Sequence, residues 1–102
     1  MARSTRLKIT PSSGNVFRDL GFPREEAEHL LIRSDLMIAL QKALERRQLK
    51  QAEAAKILGV TQPRVSDLLR GRIDLFSTDA LIDMLARLDI RVRVVLSRRV
   101  AA

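Results

Sequence analysis

Thr61, Gln62, Arg64, Ser66, Asp67 and Arg70 crowd into LGVTQPRVSDLLRG, residues 58–71, between Gly59 and Gly71. Their hydroxyl, amide, guanidinium and carboxylate groups are the types that hydrogen-bond to base edges in the DNA major groove. There glutamine suits adenine, arginine suits guanine, and a carboxylate accepts from cytosine N4. On this chemistry Thr61, Gln62, Arg64, Ser66 and Asp67 are candidate base contacts, with Asp67 alternatively orienting an arginine. Lys50, Gln51, Lys56, Arg70 and Arg72 suit phosphate contacts, which set affinity and register and carry no sequence choice. The plainer reading is that exposed polar residues are the ordinary surface of a helix.

Catalytic and metal chemistry find less material. The chain has no cysteine, which excludes disulfides, a thiolate nucleophile and Cys-ligated zinc. His29 is the sole histidine and sits beside Glu25, Glu26 and Glu28, where a solvated or structural role outweighs metal binding. There is no glycine-rich phosphate loop and no histidine near a serine in a catalytic motif. The expectation is a non-enzyme without metal or cofactor.

The elements that must position these side chains are mostly helical. Pro23 suits a first turn, with Glu25, Glu26 and Glu28 near the positive end of the helix dipole. Ala27, Leu30, Leu31, Ser34, Met37, Ile38, Gln41 and Leu44 then recur at helical spacing up to about Arg47. This pattern fits one long helix or two joined near Ser34 and Asp35. Residues 51–58, QAEAAKIL, form a short helix with Ala54, Ala55 and Leu58 on one side, and Gly59 stops it. Thr61 caps the next helix, Pro63 is tolerated in its first turn, Val65, Leu68 and Leu69 form its buried edge, and Gly71 ends it. Ser77 caps a further helix, where Phe76 and Leu81 have the spacing of a hydrophobic staple and Ile82, Leu85 and Leu88 continue the buried face.

Two helices that meet steeply need a small residue at the crossing, a glycine in the turn, and an apolar residue closing the wedge. Ala55, Gly59 and Val65 meet those needs, with Leu68 and Gly71 completing the motif. This helix-turn-helix spacing leaves the polar face of the second helix free to enter a major groove.

Residues 51–72, QAEAAKILGVTQPRVSDLLRGR, resemble the Xre/Cro helix-turn-helix family of phage-repressor-like DNA-binding domains. The wider run from Gly14 to Leu96, with SGNVFRDLGFP and the later ALIDMLARL helix, is similar to the HigA-type antitoxin branch. The resemblance implies a lambda-repressor-like bundle of four to five helices with a small C-terminal β-strand element. It also implies a dimeric repressor that autoregulates its operon and neutralises a small RelE/HigB-like ribonuclease toxin. The family's second-helix glutamine falls on Gln51, its turn glycine on Gly59, and its recognition contacts on Thr61, Gln62, Arg64, Ser66 and Asp67. Two positions depart from the family: Lys50 stands where Ser or Thr often caps the shorter helix, and Leu69 where glutamate is common.

At 102 residues and 11.5 kDa the chain fits one small domain. Its net charge of +7 is blocked: residues 42–72 hold eight basic residues against three acidic, whereas residues 19–41 hold two against five. The basic block favours a polyanionic partner, nucleic acid first. With no Trp or Tyr and only three Phe, base-stacking platforms for single-stranded RNA are lacking. The acidic block, Asp19 to Asp35, is a candidate surface for a basic toxin, together with the N-terminal arm. No apolar run is long enough to span a bilayer, so a cytoplasmic protein is expected.

Residues 1–16 read as a flexible basic arm and loop, with a weak strand signal at Leu7 and Ile9; residues 17–102 read as the DNA-binding domain. In residues 90–97, Ile90, Val92, Val94 and Leu96 alternate with Arg91, Arg93, Val95 and Ser97, a half-buried strand. Such a strand must pair with the arm, with its copy in a second chain, or with a partner protein. Homodimerisation is the favoured reading, because it places two recognition helices on a palindromic operator. The alternatives to an antitoxin are a stand-alone regulator and a protein-binding module that has lost DNA binding.

Overall fold

Pro23 opens the long helix without a side-chain cap, its carbonyl accepting from the Ala27 N–H at 2.8 Å. The computed structural model describes residues 5–9 and 15–98, so Pro11, Ser12, Ser13 and Gly14 of the expected loop lie outside the described residues. In chain order the elements are β1 (Thr5–Ile9), α1 (Val16–Asp19), α2 (Arg24–Arg46), α3 (Gln51–Leu58), α4 (Gln62–Leu69), a 3-10 turn (Ile73–Leu75), α5 (Thr78–Arg87) and β2 (Ile90–Val94). Among the described residues this is a mainly helical bundle of five α-helices, within the expected four to five.

α2 is one continuous helix of 23 residues, about 35 Å long. Ser34 and Asp35 do not break it. Its buried residues are Ala27, Leu36, Met37, Leu40, Ala43 and Leu44, which shifts the expected stripe: Ile38 is 45% exposed, and Leu36 and Leu40 are fully buried instead. The reason is that α2 is approached from several sides, by α1, α4, α5 and the 3-10 turn, so no single apolar stripe describes it. Asp35 is half-buried on this helix, and desolvation raises its carboxyl above the ordinary 3.8.

The core joins Leu36, Met37, Leu40 and Leu44 of α2 to Leu58, Val65, Leu68, Phe76, Leu81, Met84, Leu85 and Leu88. Phe76 and Leu81 both sit in this cluster, and the Ser77 hydroxyl accepts from the Ala80 N–H at 3.1 Å. α2 and α5 both end in left-handed, non-glycine residues, Gln48 at φ 53° and Asp89 at φ 60°. Arg47 crosses the gap between these ends, its Nη2 donating to the Leu88 carbonyl at 2.6 Å.

β2 finds its partner within the chain. It runs parallel to β1, with Thr5 opposite Ile90 and Ile9 opposite Val94. Five arm residues are therefore strand, and the need of β2 for a partner is met without a second copy. The strand also stops at Val94; Leu96, expected within it, lies beyond it and is 89% exposed. Ile90 and Val92 pack against the core, while Arg91 and Arg93 face outward. Asn15 closes the other end: its Oδ1 accepts from the Phe17 N–H and its Nδ2 donates to the Ala27 carbonyl, tying α1 to α2.

Candidate nucleic-acid interface

α3 starts at Gln51 with an unusual cap. An ammonium cannot accept a hydrogen bond, so Lys50 leaves the first-turn N–H groups uncapped; the return half of a capping box remains, Glu53 Oε1 accepting from the Lys50 N–H at 3.1 Å. Ala54, Ala55 and Leu58 face the core, and Gly59, at φ 69°, turns the chain. The Val60 N–H then donates back to the Ala55 carbonyl at 3.0 Å. An added Cβ at Gly59 would lie 2.9 Å from Arg87 Nη1, so the α5 guanidinium covers this turn.

α4 starts at Thr61, whose Oγ1 faces the Arg64 N–H at 3.4 Å, and Pro63 lies in its first turn. Its end is a Schellman stop: Gly71, at φ 75°, donates to the Leu68 carbonyl and Arg72 to the Asp67 carbonyl. Val65 and Leu68 are buried, which aims the other flank outward. There Thr61, Gln62 and Pro63 are exposed, and Ser66 and Asp67 are half-buried. Gln62, Ser66 and Arg70 follow a four-residue spacing along this flank. Lys50, Gln51, Lys56, Arg70 and Arg72 are all exposed.

Leu69 departs from its expected place. It is 44% exposed, at the lip of an open groove of about 600 Å³ lined by Gln41, Leu44, Leu49, Gln51, Ala54 and Val65. The groove opens between α2, α3 and α4, and among the described residues Leu69 stays uncovered at its edge.

Arg64 is placed differently from the other candidate base contacts. It is half-buried, its Nη1 donates to the Leu75 carbonyl at 2.9 Å, and its guanidinium carbon lies 4.1 Å from the centre of the Phe76 ring. Near the other end of α4, Gln41 Nε2 of α2 donates to the Leu68 carbonyl at 2.7 Å. From sequence Gln41 is only a member of a mostly apolar stripe. Its signal was a strong amide donor among Met37, Leu40 and Leu44, all buried. Arg87 and Arg47 gave no signal, because their roles depend on contacts between distant segments. Among the described residues no cluster of three potential metal ligands occurs, and no helix is long and apolar enough to cross a membrane.

A family model described as a helix-turn-helix domain matches residues 16–97. A solved structure described as "Putative XRE Family Transcriptional Regulator" aligns with a TM-score of 0.69 at 36% identity, covering 76% of this chain and 91% of that one. Comparison with curated proteins finds no match. The family match spans α1 to β2 and includes the whole α3-turn-α4 unit described above. The chain therefore belongs to the Xre-type helix-turn-helix family.

Proposed function

We propose that this protein is a sequence-specific DNA-binding transcriptional repressor, working in the cytoplasm as a homodimer and serving as the antitoxin of a toxin-antitoxin pair. The observation that carries the DNA reading is the outward flank of α4, with Thr61 and Gln62 exposed at its start, together with the exposure of all five phosphate-binding candidates. In this arrangement α4 enters the major groove from its N-terminal end, Thr61, Gln62, Ser66 and Asp67 meet base edges, and operator occupancy excludes polymerase.

A gel shift on the upstream region, titrated with salt, tests this. Gln62→Ala is expected to cost about 1 to 3 kcal/mol at one base pair, whereas Lys56→Ala weakens all duplexes and lowers the salt slope. Equal affinity of the parent for operator and random DNA would sink the reading.

The dimer rests on β2. Among the described residues the sheet has only its two strands, so β2 has a second edge to offer to β2 of another copy. That pairing would set two α4 helices on half-sites about 34 to 36 Å apart. The antitoxin role rests on the HigA resemblance and on the exposed acidic start of α2, Glu25 and Glu26. A stand-alone regulator fits the α4 geometry equally well, and co-purification with a basic protein from the adjoining reading frame separates the two. Toxin binding that survives reversal of Glu25 and Glu26 to lysine would exclude this surface.

A further inference from the structure

We infer that Arg64 and Gln41 are positioning residues that fix the two ends of α4 against the bundle, so that Arg64 sets how Gln62 and its neighbours meet DNA and does not itself read a base; this rests on the DNA-binding reading. α4 has eight residues, of which only Val65 and Leu68 are buried. Two apolar contacts on one side hold a short helix down but leave its roll about its own axis weakly defined. The tethers supply what is missing. Arg64 ties the first turn to the Leu75 carbonyl and lies on Phe76, itself 2% exposed and anchored in the core. Gln41 ties the last turn to α2 through the Leu68 carbonyl, a terminal carbonyl of α4 whose second lone pair it takes beside the bond from the Gly71 N–H.

The position of Arg64 on the helix agrees. It lies four residues before the buried Leu68, on the inward flank, whereas Gln62 and Ser66 lie on the outward one. Swinging to guanine would break a charge-assisted hydrogen bond and a cation–π contact together. A base reader would gain its bond only after losing both. Gln41 reaches no DNA-facing surface through this bond, yet any shift of α2 at that point moves the end of the recognition helix.

The test begins with selection of a preferred duplex by the parent from a random pool. NMR then follows the Arg64 Nε–H resonance, which is expected upfield in the free protein because the guanidinium lies over the Phe76 ring. The expected result is that it stays upfield in the complex. Arg64→Met and Gln41→Met are then measured against every single base-pair change in the half-site, at a temperature where thermal melts show each variant folded. Each is expected to lose about three- to tenfold in specific affinity, spread across the half-site, with non-specific affinity and salt slope unchanged. Arg64→Lys, which keeps a cation over the ring, should retain part of the loss, and it carries the same base-pair test if Arg64→Met does not fold. A loss confined to one base pair, or a downfield move of the resonance on DNA binding, overturns the proposal and makes Arg64 a base reader. A parent that selects no preferred duplex overturns the DNA-binding reading, and this proposal with it, before any variant is made.

Discussion

Ala55 shows how much one methyl group can decide. It is 7% exposed in the core cluster, and a larger side chain there must displace its packed neighbours. Ala55→Leu is expected to cost about 1 to 3 kcal/mol by urea denaturation, the usual penalty of overpacking. Gly59 acts through backbone conformation instead. The atom nearest an added Cβ is the end of the flexible Arg87 side chain, so the φ of 69° dominates the cost of Gly59→Ala, roughly 1 kcal/mol. Asp35 offers a test by pH. Burial raises its folded pKa, so the native state holds the proton more tightly, and a penalty grows as pH rises through the folded pKa. Asp35→Asn should therefore raise the melting temperature at neutral pH, and the gain should vanish below the ordinary carboxylate range. Equal gains at both pH values would show that desolvation of the charge is not the cause. At this scale Ala55, Gly59 and Gly71 were legible because each meets a need set by its immediate neighbours. Leu69 was not, since its exposure depends on an open groove formed between three helices.

Among the elements, the starts and stops written in capping chemistry were the most readable. Thr61, Ser77, Gly59 and Gly71 occupy the caps and stops assigned to them from residue type. The four-residue α1 and the 3-10 turn carried too little periodicity to be seen. The continuity of α2 could not be read because Ser34 and Asp35 are weak helix residues without being breakers, and packing overrides such preferences. Two of the ends with poor capping chemistry make predictions. Gln48 holds a left-handed conformation that glycine adopts freely, so Gln48→Gly should stabilise the protein by about 0.5 to 1 kcal/mol. Lys50→Thr should add about 1 kcal/mol by giving α3 the missing cap oxygen. A chemical-denaturation midpoint that falls in either variant would show that the native side chain makes a compensating contact.

For the whole molecule, the parallel pair of β1 and β2 joins segments far apart in the chain, 5–9 and 90–94. A two-stranded sheet is marginal by itself, so its stability depends on Ile90 and Val92 packing against the core and on further pairing. Removing residues 1–9 should abolish hydrogen-exchange protection in Ile90–Val94 while leaving α3 and α4 protected. Retained protection in β2 would mean that another strand, such as one from a second copy, holds it; sedimentation of the truncated protein separates these cases.

The sequence by itself determined the order and limits of the central helices, the glycine turns and the basic block, because caps, stops and charge are set by residues within a turn of one another. Tertiary structure alone decided which side of α2 is buried, that β2 pairs with the arm, and that Arg64 lies on Phe76 instead of facing outward. Those outcomes depend on contacts between segments far apart in the chain, where several partners satisfy the same local pattern and only the packing of the whole bundle selects one.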